Sequence, residues 1–468
     1  MTTQRKGGQA QAESIVAAAA QGQWPAGFAP FVQGAPLAVM VRSVLEWLLS
    51  QAALEGLMQA VAQRGYTRCL TLDLLVELML DVACGIQPSA HAAYRAREEH
   101  LCVSFQALYG KLSRLEPAVG AAVVARTAQL SDAYITAHGL AAPEPIVGYR
   151  ARIVDGTVLA GHDHRLEVLR AKRAAGLTGM ALAVYAPATG LVTQVLLEED
   201  AYTQERALLE GLHVEAGEVW IADRNFCIRP WLRRLEDAGA GYVIRWHASA
   251  LPYEALEPLK PAGAATEQRI RIPLKDGGEL TARRIVLPLP TPTRSGEREL
   301  VLITNLEAPP AEALAAAYRT RWRIETHYQR LTELLHCELP GLGYPRAALF
   351  AFAMSVTAAN ALALVLAALR QAQGQEAAEQ LSFYRLVDEL SHTWRGLMIA
   401  LPPERWSFLQ ALDSAQFSQW LVSIARTIPM KRYRTRPRRR SAPPRKTAPD
   451  TRPHHSIQRL LNKANGAC

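Results

Sequence analysis

Ala347 to Leu369 is a run of 23 residues without one charged side chain. It is long enough to cross a bilayer as a helix. Such a run has two possible homes, a membrane or the interior of a large protein. Ser355, Thr357 and Asn360 interrupt it, and ten of its residues are alanine, which inserts weakly. The run is therefore read as a buried helix, and no membrane partner is expected. A core large enough to swallow it must be assembled from the rest of the 468 residues. That length also suggests more than one domain.

The charge is unevenly placed. Residues 431–468 hold 12 Lys/Arg and one acid, which leaves 40 basic and 42 acidic residues in the remainder. The net +9 of the chain thus belongs to its last segment. This segment, with Arg438-Arg439-Arg440 among prolines, is expected to be a disordered basic tail from 429 to 468 that suits phosphate backbones without reading sequence. The body is nearly neutral, so any basic binding surface on it must be local. Six cysteines are scattered without a C-x-x-C pair. That argues against a structural zinc site and a disulfide framework, and fits a reducing, cytoplasmic setting.

Residues 1–38 are rich in Gly, Ala, Gln and Pro and are expected to be flexible. From 39 to 142 apolar residues recur every three or four positions, giving helices over Val41–Gln51, Thr71–Ala83, Ser89–Glu99, Ser104–Leu115 and Pro117–Ala137. Ser104 can cap a short helix that carries Gln106, Tyr109, Lys111 and Arg114. A helix-turn-helix-like DNA reader and a plain helical bundle fit this succession equally. After Pro143 and Pro145 the period becomes two. Strands are expected at Arg150–Val154, Met180–Tyr185, Leu191–Leu197, Glu218–Ala222, Gly241–Trp246 and Glu299–Asn305, with a helix over Gln204–Leu212. Gly and Pro punctuate 247–299, which reads as a β-rich insertion. A polar helical region is expected over 371–428. The fold class is a mixed α/β sheet with an insertion, preceded by an all-α domain and followed by C-terminal helices.

Tyr318 to Thr332 follows an alanine-rich run without Pro or Gly and is expected to continue it as one helix. Tyr318, Arg321, Glu325 and Tyr328 fall three, four and three apart, on one face. Asp155 and Asp223 each follow an apolar strand, and adjacent strand ends place such residues side by side. Asp155-Gly156 taken alone reads first as a turn, and it is the combination with Asp223 and the helix that changes this. Two strand-end aspartates and a helical glutamate, without Cys or His, form a hard-oxygen set suited to Mg²⁺ or Mn²⁺. Two such ions serve phosphodiester chemistry. His162 and His164 form an H-x-H pair without a third ligand. His336-Cys337 reads as packing. Trp246 can stack on an unpaired base or sit in the core, and Arg224 can contact DNA or a neighbouring acid.

Asp155-Gly-Thr, Asp223-Arg-Asn-Phe and Tyr318-x2-Arg321-x3-Glu325, in this order, resemble the IS4-family DDE transposases. The resemblance covers about 40–370, and its specific part is the joint Tyr-Arg-Glu spacing. It implies an RNase H-like catalytic domain over 143–246 and 300–370, interrupted by the insertion. By resemblance, Asp155, Asp223 and Glu325 are the metal-binding catalytic triad, while Tyr318 and Arg321 hold DNA phosphate. It further implies cut-and-paste transposition on double-stranded DNA, a hairpin intermediate, a homodimer in the synaptic complex and a nucleoid-associated location. The family pattern places a Lys where this chain has Thr332, whose hydroxyl can still donate to phosphate. Arg330 lies about 140° around the helix from Glu325 and is poorly placed to replace it. A non-catalytic DNA-binding protein derived from a transposase is the alternative.

Overall fold

The computed structural model describes residues 2–62, 70–161, 166–170, 176–293, 296–339, 341–435 and 454–466. His162, His164 and Arg438–Arg440 lie outside them. The apolar run forms a helix, Pro345–Gln373, and most of its side chains are buried. No other single helix among the described residues is as long and apolar. Pro345 opens it at a position where the missing N–H costs nothing. It packs against the helices Pro36–Leu48, Leu72–Ala83, Pro117–Ala137 and Ser414–Thr427, and against one face of the sheet. Two of the three polar residues that weakened the membrane reading have partners, while the buried Thr357 hydroxyl has none among the described residues. Ser355 Oγ donates to Leu335 O at 2.8 Å. Asn360 Nδ2 donates to Val192 O at 3.0 Å, and its Oδ1 accepts Val192 N–H at 2.9 Å.

The sheet begins with β1 (Arg150–Gly161), β2 (Gly176–Ala186), β3 (Leu191–Glu198), β4 (Glu218–Ala222) and β5 (Gly241–Arg245). β1, β2 and β3 are antiparallel neighbours, and β4 and β5 run parallel to β1. This mixed sheet is consistent with an RNase H-like transposase domain. Residues 247–299 contain β6 (Glu254–Ala255), β7 (Lys260–Ala262), β8 (Ala265–Pro273) and β9 (Glu279–Pro288). The insertion extends the same sheet, because β9 pairs with β10 (Glu299–Thr304) and β10 pairs with β5. One face lies against the central helices. The other holds a second apolar cluster, in which Trp220 meets Trp231 edge-on at 5.2 Å.

Several expectations need correction. Residues 1–38 are not a loose leader. Thr2–Ala20 and Phe28–Gly34 are helical, and Ala12, Val16 and Ala19 are buried at steps of four and three. Small side chains let that helix approach Ser414–Thr427 closely, and Phe28 meets Trp406 at 4.8 Å. The tail expected from 429 is structured in part. Met430–Tyr433 is helical and Tyr433 is buried. β11 (His455–Ser456) pairs with Gly176–Leu177, and the following helix Ile457–Ala464 is anchored by buried Ile457. Arg459 pairs with Asp200 at 2.6 Å. Nor do the boundaries at 142 and 370 divide the core. Helices from both ends of the chain share one apolar cluster with the sheet.

Asn360→Ala is expected to cost about 2–4 kcal/mol, since it leaves a buried N–H and a buried C=O of Val192 unpaired. Denaturant unfolding checks this; a change under about 1 kcal/mol would mean that water replaces the amide.

Candidate functional site

Val154 of β1 lies opposite Ala222 of β4 in parallel register, so the next residue on each strand, Asp155 and Asp223, is its neighbour's neighbour. β4 stops there, and Asp223 leads into a single 3₁₀ turn, Arg224–Phe226. β1 does not stop, contrary to expectation. It continues against β2 to Gly161, with Asp155 opposite Ala183. Asp155 therefore sits mid-strand, where β1 loses its parallel partner but keeps its antiparallel one. The carboxylate gains an open side there without losing a fixed backbone.

Glu325 arrives from the other direction. The expected single helix is two, Ala311–Arg319 and Trp322–Glu333. The joint is tightened by i→i−3 bonds from Thr320 N to Ala317 O and Arg321 N to Tyr318 O. The cause lies in Thr320, whose hydroxyl also donates to Ala317 O, at 2.6 Å, and so competes with the regular ladder. The joint still aims Tyr318, Arg321 and Glu325 at the two aspartates.

Arg321 links them. Its guanidinium donates to Glu325 Oε1 at 2.6 Å and to Asp155 Oδ2 at 3.3 Å, with the side chain only 12% exposed. One guanidinium touches both carboxylates, so both face the same few ångströms of space. Burial works against the Arg321 charge, but Tyr318, Asp155 and Glu325 outweigh it and hold the guanidinium above its usual range. Burial pushes the Asp155 carboxyl up to about 6; Arg321 opposes this, while Glu205 and Glu325 reinforce it. Tyr318 OH reaches Asp223 Oδ1 at 3.5 Å, and burial pushes its phenol up to about 12, so it stays a donor. Tyr328 OH donates to the Asp155 carbonyl at 2.7 Å and pins the strand to the helix.

The remaining candidates separate. Arg224 borders the cleft and pairs with Glu297 at 3.3 Å. Thr332 Oγ1 lies 3.6 Å from Cys337 Sγ. Arg330 lies over the Phe383 ring at 4.3 Å, on the side of the helix away from Glu325. Trp246 donates to Leu251 O and packs against Tyr253 and Arg284. Cys84, Cys102, Cys227 and Cys337 are free thiols. The sequence reading missed Glu205, which opens a short helix after β3 and lines the cleft between Asp155 and Asp223. Its position, 50 residues after Asp155 and 18 before Asp223, gives no motif to find it by.

An oxygen-only donor set fits a hard divalent cation. As it stands, no group of three metal-ligating side chains among the described residues is gathered closely enough to hold one. Arg321 is the counter-ion to Asp155 and Glu325.

Residues 147–360 match the family model described as transposase DDE domain. The matched span holds the whole carboxylate site and supports a DDE transposase. No curated protein matches the chain.

If Asp155 and Glu325 are metal ligands, a divalent cation would compete with Arg321 for them. Arg321→Gln is accordingly expected to bind Mn²⁺ roughly tenfold more tightly without DNA, as read by calorimetric titration. An unchanged affinity would show that the guanidinium does not guard the site. Protons compete as well, so wild-type affinity is expected to fall as pH drops through about 6, the range set by Asp155.

Proposed function

We propose that the chain is an IS4-like DNA transposase that binds the terminal inverted repeats of an insertion sequence. It would cut and rejoin DNA with two Mg²⁺ or Mn²⁺ ions. The observation that carries this reading is Arg321, which bridges Asp155 on β1 to Glu325 on the helix, with Asp223 at the end of the neighbouring strand, all inside the matched domain. Asp155, Asp223 and Glu325 would hold the ions. Bound metal lowers the cost of ionising the attacking hydroxyl and of releasing the leaving oxygen.

The chain's own residues supply the rest. Arg321 would hold a DNA phosphate, a bidentate role suited to a guanidinium. Tyr318, kept protonated by burial, donates a neutral hydrogen bond beside Asp223. Arg224 stands at the cleft mouth as a further phosphate contact. Thr332 takes the place of the family's Lys. The helices over 39–142 would supply end recognition, with Phe105–Leu112 as the reading helix. The basic residues near the C-terminus would add sequence-independent attraction that weakens with salt. A homodimer assembles in the synaptic complex, and the protein works in the cytoplasm on the nucleoid.

Asp155→Ala, Asp223→Ala and Glu325→Ala are each expected to abolish Mg²⁺-dependent cleavage of a duplex carrying the element end. Survival of activity in any of the three would remove that residue from the triad. Thr332→Lys is expected to keep or raise cleavage, and a clear loss would show that this position does not face phosphate. If the wild-type chain binds end DNA but cuts nothing with Mn²⁺, the second reading, a binding protein that has lost its chemistry at Thr332, takes precedence.

A further inference from the structure

The helix Trp322–Glu333 has a second polar face. Arg323, His327 and Arg330 recur on it four and three apart, which brings them to one side. At 100° per residue that side is about 140–160° around the helix from Glu325. The three residues line a cavity of about 240 Å³. The turn 187–190 between β2 and β3 and the helices Pro345–Gln373, Gln375–Gln380 and Phe383–Ala400 complete its walls. The long helix contributes Arg370 and an apolar wall that includes Leu362 and Leu366.

Cations outnumber acids in this cavity. Three guanidinium groups line it against one carboxylate, Glu379, an excess of two positive charges. Among the described residues none of the three is in an ion pair, and Glu379 accepts Gln375 Nε2–H at 2.6 Å. Arg323 donates to Pro187 O at 3.2 Å. Arg370 donates to Leu140 O, while its buried Nε has no partner. Arg330 lies over the Phe383 ring and makes no side-chain hydrogen bond among the described residues. Desolvation holds the Arg330 and Arg370 guanidinium groups below their usual range. His327 is only 8% exposed, and its Nε2 has no partner. Burial pushes its imidazole down to about 4, so the ring is neutral and can donate without adding charge. Donors left unpaired in such a place cost free energy that a matching acceptor recovers. A phosphate monoester carries about −1.5 to −2 charges at neutral pH and three acceptor oxygens, and guanidinium forks match its geometry. We propose that this cavity binds a small phosphate monoester, with Arg323, Arg330, Arg370 and His327 around the phosphate and Leu362 and Leu366 against its organic part. The cavity lies just below the usual size of small-molecule sites, about 300–1,000 Å³, which suits a small ligand better than a duplex. It does not depend on a metal at the carboxylates on the other side of the helix.

The probes are phenyl phosphate and inorganic phosphate, titrated separately into the full chain without DNA and followed by calorimetry. Phenyl phosphate is expected to bind about tenfold more tightly than inorganic phosphate, because its ring meets the apolar wall. Arg330→Gln breaks no hydrogen bond within the protein, so the fold should keep its melting temperature. It is expected to weaken phenyl phosphate by about tenfold or more, the loss of one charge-assisted contact. Arg370→Gln is expected to weaken it comparably. Arg330→Lys should recover only part of the loss, since an ammonium keeps the charge without the fork. Arg395→Gln, on the helix Phe383–Ala400 but outside the cavity lining, is expected to bind as wild type. Failure of phenyl phosphate to bind at millimolar concentration would overturn the proposal, as would wild-type affinity in both Arg330→Gln and Arg370→Gln. If phenyl phosphate does not bind and Arg330→Gln instead weakens the binding of duplex DNA, these arginines serve the DNA backbone and the small-molecule assignment falls.

Discussion

Burial of one helix, Pro345–Gln373, sets the terms for everything else. A chargeless segment of that length must be covered on all sides, and helices from both ends of the chain converge to do so. The alanines allow close approach, and Leu349, Phe350, Phe352 and Leu364 fill the space between neighbours. Asn360 ties the helix to β3 through both atoms of its amide. The sheet is thereby held against a rigid support, and the ends of β1 and β4 are held with it.

The site itself is a balance of opposed charges over that support. Asp155 is fixed mid-strand and partly buried, which disfavours its charged form. Arg321 restores part of the loss by bridging it to Glu325. The same contact occupies one oxygen of each carboxylate, so a metal held there would have to displace the guanidinium. DNA phosphate would be a second partner for Arg321, and linkage then makes phosphate and metal binding mutually favourable. The long Tyr318–Asp223 contact, at 3.5 Å, marks the side of the site least tied down.

Local signals carried a good part of the fold. Pro117–Ala137 and Glu218–Ala222 match their expected limits, because a Pro start, regular apolar spacing and flanking breakers act within a few residues. The same signals misled where distant partners decide. The Ala/Gln-rich start and the end of the basic tail look like solvated chain, yet Val16 and Ile457 are fully buried against segments hundreds of residues away. β1 overran its expected end because β2 continues to pair with it past Asp155. The helix expected over 311–332 broke at Thr320, where a side-chain hydroxyl displaced a ladder bond.

The sequence by itself determined which residues could do chemistry. Asp155, Asp223, Arg321 and Glu325 were all marked by spacing, since strand ends and helical faces are local periodicities. Their convergence needed the tertiary structure, because parallel pairing of β1 with β4 joins residues 68 positions apart. The identity of Glu205 as their neighbour was decided at that level alone. Nothing in the chain near Glu205 announces it; its place follows from the room left by the missing Cβ of Gly156 and from a hydrogen bond to Asn225, two features that meet only after folding.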